Sequence, residues 1–191
     1  MKKLFLVIIV ALLAHHMYSQ DNKSSVEKSI FGLQTGVLGL WAHHEFGLSN
    51  AMALRTEFGL DSGLFGGDYY ENSVNFILFP TVTLEPRFYY NLKKRESKGK
   101  NISNNSGNFL ALKANYTPDW FVISNADYNM YITENLSVLV KWGIKRTVGK
   151  HFTYETGMGF GVRTYFREQY GYPSNESKAA IDLHLRIGYT F

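Results

Sequence analysis

Hydrophobic and polar residues alternate from Ile181 to Phe191. One set of alternate positions is apolar and comprises Ile181, Leu183, Leu185, Ile187, Tyr189 and Phe191. The opposite set is small or polar and comprises Ala180, Asp182, His184, Arg186, Gly188 and Thr190. Because successive side chains of a β-strand point to opposite faces, this segment is predicted to be a strand with one apolar and one polar face.

The same alternation recurs in the rest of the chain. It is found in residues 37–46, 52–61, 80–92, 109–117, 136–145 and 152–166. In the last of these, Gly157, Gly159 and Gly161 share the polar face, which leaves room on that side. The pattern predicts an all-β protein in which seven long strands are readable.

The polar faces indicate which side of the sheet meets the interior. They mix single charges with Gly and Thr, whereas the exposed face of a water-soluble sheet carries more Lys and Glu. The strands exceed the usual length of about 5–6 residues, and a tilted membrane strand needs about 9–11. We therefore expect an antiparallel transmembrane up-and-down β-barrel with its apolar faces outward. Aromatic residues near strand ends suit an interfacial girdle, namely Tyr89, Tyr90, Tyr116, Trp120, Trp142, Tyr154, Phe166, Tyr189 and Phe191.

The strand count raises a parity problem. Bacterial single-chain barrels have an even number of strands, and seven are readable. We expect eight strands, with the missing one supplied by residues 20–29 or by an unrecognised break.

The N-terminal segment has the order of features that defines a secretory signal peptide. Lys2 and Lys3 precede an apolar run from Leu4 to Ala14, and small Ser19 follows a polar stretch. That run is too short to cross a hydrocarbon core of about 30 Å as a helix. We expect residues 1–19 to be a cleaved signal peptide and residues 20–191 to form the barrel domain.

Composition removes several classes of function. The chain has no Cys, which excludes disulfides, thiol nucleophiles and Cys-ligated metals. Its formal charge of +4 is modest and gives no support to nucleic-acid binding. No cofactor and no metal site is predicted.

The segment "LHLRIGYTF" resembles the closing strand of small bacterial outer-membrane β-barrels of the OmpA and OmpX class. The resemblance implies an outer-membrane location, contact with outer-membrane lipid, and recognition by the barrel-assembly machinery through Tyr189 and Phe191. The runs "TLEPRFYYNLKKR" and "NNSGNFLALK" are similar to uncharacterised barrels from Bacteroidetes-type bacteria. This similarity implies a fold and no reaction.

The resemblance places Phe191 on the periplasmic side, and the topology follows by counting back. Residues 48–50, 93–107 and 148–151 are then periplasmic, and residues 61–73, 117–134 and 167–178 are extracellular. The basic connection 93–107 is expected to be a solvated linker; contact with anionic lipid headgroups or with an acidic partner is the alternative.

The inward faces are predicted to carry a charge network of six acidic and six basic residues. Its members are Glu45, Arg55, Glu57, Asp61, Glu85, Arg87, Lys113, Lys141, Glu155, Arg163, Asp182 and Arg186. Side chains just fill an eight-stranded barrel, and buried charges persist there only when paired. We expect a salt-bridged plug, with a narrow ion path as the alternative.

Other candidate sites are weaker. His43 and Glu45 are predicted to point inward with His184, and His44 outward, so the two adjacent His residues cannot share one metal. Ser49 is close to His43 in sequence but lies at a predicted turn, and no signature of a lipid hydrolase is present. The loop Asp61–Asp68 carries two Asp residues but lacks the Ca²⁺-loop pattern.

These observations predict an integral outer-membrane barrel with a largely closed interior. It would serve membrane integrity or bind an unidentified extracellular ligand through its loops, chiefly residues 117–134. A narrow pore for small solutes is the first alternative, and a lipid-modifying hydrolase is the second.

Overall fold

The computed structural model describes residues 24–37, 39–66, 74–126 and 128–191. The predicted signal peptide, residues 1–19, lies outside them. Nine strands are described: β1 (Ser29–Gly36), β2 (Gly39–Gly47), β3 (Met52–Gly66), β4 (Val74–Tyr89), β5 (Asn108–Thr117), β6 (Ile123–Ser124), β7 (Asn135–Val148), β8 (Phe152–Tyr165) and β9 (Glu176–Thr190). A five-residue helix, α1, spans Leu92–Glu96.

Eight of these strands form a closed antiparallel ring. Each long strand pairs with the next one along the chain, and β9 pairs with β1 through registers such as Leu33 with Tyr189. The two-residue strand β6 pairs with Ile77 and Leu78 of β4, beyond the end of β5. The all-β, antiparallel fold predicted from alternation is confirmed.

The eighth strand of the ring is β1, which shares only Ser29 with the first predicted source, residues 20–29. Inside β1 the buried positions are Ile30, Gly32 and Gln34, while Phe31 and Leu33 are exposed. The apolar Ile30 on the inner face, next to the apolar Phe31 on the outer face, obscures the period-two signal. The chain then turns at Val37, so the strand predicted over 37–46 begins at Gly39.

The ring has two unlike ends, which we name by their connections. The turn end carries residues 48–51, 90–107 and 149–151, and the loop end carries residues 118–134 and 166–175. Strands reach farther towards the loop end than predicted: β3 extends to Gly66 and β9 begins at Glu176. Parts of the predicted loops 61–73 and 167–178 are therefore strand.

The connection 93–107 is exposed over most of its first nine residues, as expected of a solvated linker, but its end, residues 105–107, is buried. After α1, a single 3₁₀ turn at Ser103–Asn105 brings the chain back over the barrel, and Asn105 and Ser106 are buried. Asn104 and Asn105 have φ values of 52° and 58°, a left-handed conformation that Asn tolerates better than most residues. A small apolar cluster lies beneath this segment and comprises Val26, Ala53, Tyr89, Leu92, Phe109 and Ala111.

The walls of the ring are inverted relative to a water-soluble protein. Charged residues such as Arg55, Arg87 and Glu155 are fully buried inside, whereas Phe160, Ile181 and Leu183 are exposed outside. Within the described ranges, no helix is long and apolar enough to cross a membrane.

Candidate functional site: the barrel interior and its two ends

The interior charges begin as cross-strand ladders. On β2, β3 and β4, Glu45 is opposite Arg55, and Arg55 is opposite Glu85. On β7, β8 and β9 the signs are reversed, because Lys145 is opposite Glu155, which is opposite Arg186. Period-two alternation directs all six side chains inward, so that two ladders of complementary sign share the lumen.

Glu155 connects the two ladders at the middle of the barrel. Arg87 donates to both of its carboxylate oxygens, at 2.9 Å from Nη1 to Oε2 and 2.8 Å from Nη2 to Oε1. Arg55 Nη1 lies 3.4 Å from Oε2, and His184 Nε2 lies 3.2 Å from Oε1 without hydrogen-bond geometry. A single carboxylate thus faces two guanidinium groups.

Glu45 organises the layer nearer the turn end. Lys145 Nζ donates to Glu45 Oε2 at 2.9 Å, while the Tyr89 hydroxyl and the Asn105 amide donate to Oε1 at 2.7 and 2.6 Å. The amide comes from the connection over the barrel, so this end is closed by a polar group that also stabilises the buried carboxylate through a hydrogen bond.

Two further pairs lie nearer the loop end. Arg186 Nη1 donates to both oxygens of Glu57, at 3.0 and 2.9 Å, and Arg55 also bonds Glu57. Lys113 Nζ donates to Asp182 Oδ2 at 3.0 Å, in a layer with slight solvent exposure. Polar pairing therefore continues past the middle of the barrel.

The structure places the twelve predicted residues on the inner wall, although not all of them form ion pairs. Asp61 accepts a hydrogen bond from Trp41 Nε1 at 2.6 Å, and Arg163 donates to Ser137 Oγ at 2.8 Å. The remaining ten belong to ion pairs within 4.0 Å. One of these pairs joins Lys141 to Glu85.

Among the described residues, the sequence prediction missed four that hydrogen-bond to the interior ion pairs. Lys145 lies four residues after Lys141 and therefore on the same face of β7, so strict alternation would have placed it inside. Gln34, which accepts a bond from Arg55 Nη2 at 2.6 Å, lies on the unrecognised strand β1. Tyr89 was assigned to the interfacial girdle but is buried inside. Asn105 lies in a loop, where no periodic signal exists.

At the middle of the barrel the charged side chains form a layer with no solvent-accessible surface, here called the dry layer. The side chains of Arg55, Arg87, Glu45 and Glu155 have no exposed surface. A cavity of about 330 Å³ opens near the loop end, where Trp41, Lys113, Arg163 and Asp182 help to line it. A path for water through the dry layer requires these charged groups to move.

His43 and His44 lie on opposite sides of the barrel wall. His43 is buried inside near Gly32, whereas His44 lies on the outer wall, with its ring stacked on Phe31 at a centroid distance of 4.0 Å. Within the described ranges, no group of three or more His, Cys, Asp or Glu side chains is positioned to hold a metal ion. Most of the Asp61–Asp68 loop backbone belongs to β3, and residues 67–68 lie outside the described ranges.

A Ser–His contact occurs on the outer wall, at a position other than the one considered from sequence. Ser29 Oγ lies 2.9 Å from His44 Nε2, near the turn end. Ser49, in contrast, lies in the turn and its backbone N–H bonds Met52 O at 3.1 Å. A hydroxyl beside an imidazole is the first part of a nucleophilic site, but in the described residues no carboxylate forms an ion pair with His44.

Comparison with known proteins adds no family. No protein-family model matches the chain, and neither a curated protein nor a solved structure does so.

Proposed function

We propose that this protein is an integral outer-membrane β-barrel whose interior is closed by ion pairs. It serves membrane integrity or binds an extracellular ligand through the loop end. The outer membrane supplies its lipid surroundings, and the barrel-assembly machinery recognises β9 through Tyr189 and Phe191.

The inverted walls carry this proposal. Large apolar side chains exposed around the ring include Phe58, Leu112, Val140, Phe160, Ile181 and Leu183. Such a continuous apolar surface is far larger than soluble monomers expose, and hydrocarbon is the solvent that would accept it. Pairing of β9 with β1 also joins the first and last strands of the sheet, and closed sheets of this kind are the β-structures that can span a membrane.

Loop lengths support the orientation. Outer-membrane barrels have short periplasmic turns and longer extracellular loops. Two of the three connections at the turn end, residues 48–51 and 149–151, are short, whereas the third, residues 90–107, is as long as the loop-end connection 118–134 and longer than 166–175. On the two short connections we place the turn end in the periplasm and the loop end, with its exposed Trp120, Phe121 and Tyr131, on the outside.

The dry layer favours a closed barrel over a pore. Charges that line a conducting path remain in contact with water, whereas Arg87 and Glu155 are fully buried and bonded to one another. Each buried charge in the layer has an opposite partner, so opening a path would break several charge-assisted bonds together.

The proposal is tested by locating and refolding the protein. Membrane fractionation should place it with outer-membrane lipid, and the folded form should migrate differently from the boiled form on a gel. Purified chain should also refold into phospholipid vesicles and protect its strands from trypsin. Recovery in the soluble fraction, with no heat-dependent shift, would overturn the proposal.

The Ser29–His44 contact favours one second candidate, a lipid hydrolase on the outer wall. Release of fatty acid from vesicles containing the refolded protein would support it, provided that Ser29→Ala abolishes release and Ser49→Ala does not. Absence of release from correctly refolded wild-type protein would exclude it.

A further inference from the structure

A basic groove lies on the outer side of the turn end, between α1 and the barrel wall. It has a volume of about 400 Å³ and collects five cationic side chains at its lining, those of Lys94, Arg95, Lys98, Lys100 and Arg146. No acidic side chain lines it. Across the described ranges, no carboxylate lies within 4.0 Å of any of these five cationic groups.

The two arginines are held in place by neutral groups. Arg146 donates to Asn108 Oδ1 at 2.6 Å and to the Lys145 carbonyl at 2.7 Å. Arg95 Nη2 donates to the Asn101 carbonyl at 2.8 Å, and Arg95 Nε is buried with no hydrogen-bond partner. The guanidinium groups are therefore ordered without being neutralised, which leaves donors and charge for an anion.

An aromatic pair beside the groove indicates where the groove lies relative to the membrane surface in the proposed orientation. Tyr90 lines the groove and accepts a bond from Trp142 Nε1 at 2.9 Å, and both rings are partly exposed on the outer wall. Tyr and Trp with one apolar and one polar end favour the membrane–water interface. The cations lie beyond this pair, at the level where lipid phosphates are found.

We infer that the groove binds the phosphodiester headgroup of an anionic phospholipid in the leaflet at the turn end. The inference rests on the proposed membrane location. Arg95 and Arg146 would hold the phosphate oxygens, and the longer lysine side chains would reach the rest of the headgroup. A free phosphate ester shares this chemistry, but Tyr90 and Trp142 at the edge favour a ligand whose tails lie along the wall.

The experiment compares two triple variants in refolded protein kept in mild detergent. The groove variant is Lys94→Gln with Lys98→Gln and Lys100→Gln. The control is Lys28→Gln with Lys93→Gln and Lys150→Gln, which removes the same charge from exposed lysines that do not line the groove. Native mass spectrometry counts adducts of phosphatidylglycerol and phosphatidylcholine with identical chains, and glycerol phosphate is added as a soluble competitor.

We expect phosphatidylglycerol to be preferred, and the groove variant to lose about tenfold or more in apparent affinity while the control keeps it. Glycerol phosphate should compete only weakly. Equal losses in the two variants would show diffuse attraction and overturn the site, and binding of glycerol phosphate as tight as that of the lipid would overturn the lipid source. Failure to refold into vesicles would instead count against the membrane proposal.

Discussion

Arg87 and Glu155 form a two-pronged ion pair across the lumen, with N–O distances of 2.9 and 2.8 Å and no exposed side-chain surface. The pair joins β4 to β8, strands that are not neighbours in the ring. It therefore fixes the cross-section of the barrel as well as neutralising two charges.

Changing Glu155→Gln should destabilise the folded barrel strongly. It removes the carboxylate that faces Arg55 and Arg87 and leaves two buried cations with less compensation. Breaking a buried pair in this way costs about 3–5 kcal/mol in the free energy of unfolding. Urea titration of vesicle-refolded protein, followed by tryptophan fluorescence, measures the loss.

The matched control is Glu168→Gln, an exposed residue at the loop end. It should change the same free energy by no more than about 0.5 kcal/mol. Equal effects of the two substitutions would mean that the interior pairs do not stabilise the barrel.

Asn105 closes the turn end, and its replacement should lower the free energy of unfolding because the Glu45 carboxylate loses a hydrogen-bond donor. Asn105→Ala removes the amide that donates to Glu45 Oε1 and the oxygen that accepts from the Glu27 N–H at 2.7 Å. A buried group left without its partner costs about 1–3 kcal/mol, more for a charged one. The same unfolding titration should show this loss.

Asn104→Ala provides the comparison for Asn105→Ala. Asn104 also has a positive φ, but its amide bonds only the exposed Lys150 carbonyl, at 2.9 Å. Both substitutions carry the same backbone strain, so the difference between them reports the buried contact. No difference would contradict the assignment of Asn105 as a closing group.

Alternation was sufficient to predict the sheet and its inner wall because both depend on side-chain parity alone. Tyr154 and Thr156 belong to the outward-facing positions of this strand, so Glu155 between them could be placed on the inner face without knowledge of its partners. Alternation does not show which strands face one another across the lumen. The pairing of Arg87 with Glu155 could therefore be recognised only in the closed barrel. Strand β1 and the Asn105 connection escaped prediction because Ile30 breaks the polar face and loops have no period.

A charged side chain introduced on the outer wall near the middle of the barrel should impair refolding into vesicles. Phe160 is 70% exposed near the middle of β8, and Phe160→Lys would place an ammonium in hydrocarbon at a cost of about 2–4 kcal/mol if the barrel spans a bilayer. Tyr131 is 83% exposed in the loop region, and Tyr131→Lys should be tolerated. Refolding yield in vesicles compares them; tolerance of both would argue against a lipid-facing wall.

Phe191 should act in assembly more than in stability. Its side chain is 73% exposed, and its backbone N–H bonds the Phe31 carbonyl at 3.0 Å, a bond that does not depend on the ring. Phe191→Ala should reduce the heat-shifted form recovered from cells while leaving unfolding in vesicles unchanged. Phe152→Ala, with 67% exposure on the same wall, is the control. Equal recovery of the two variants would contradict recognition through Phe191.

The closed interior is tested most directly by conductance. Wild-type protein with a verified heat-dependent gel shift is added to a planar bilayer, and current is recorded over a range of voltages. We expect no steady channels, because the side chains of Arg87 and Glu155 have no exposed surface. Steady conductance that changes with Arg87→Met or Glu155→Gln would contradict it and establish a pore.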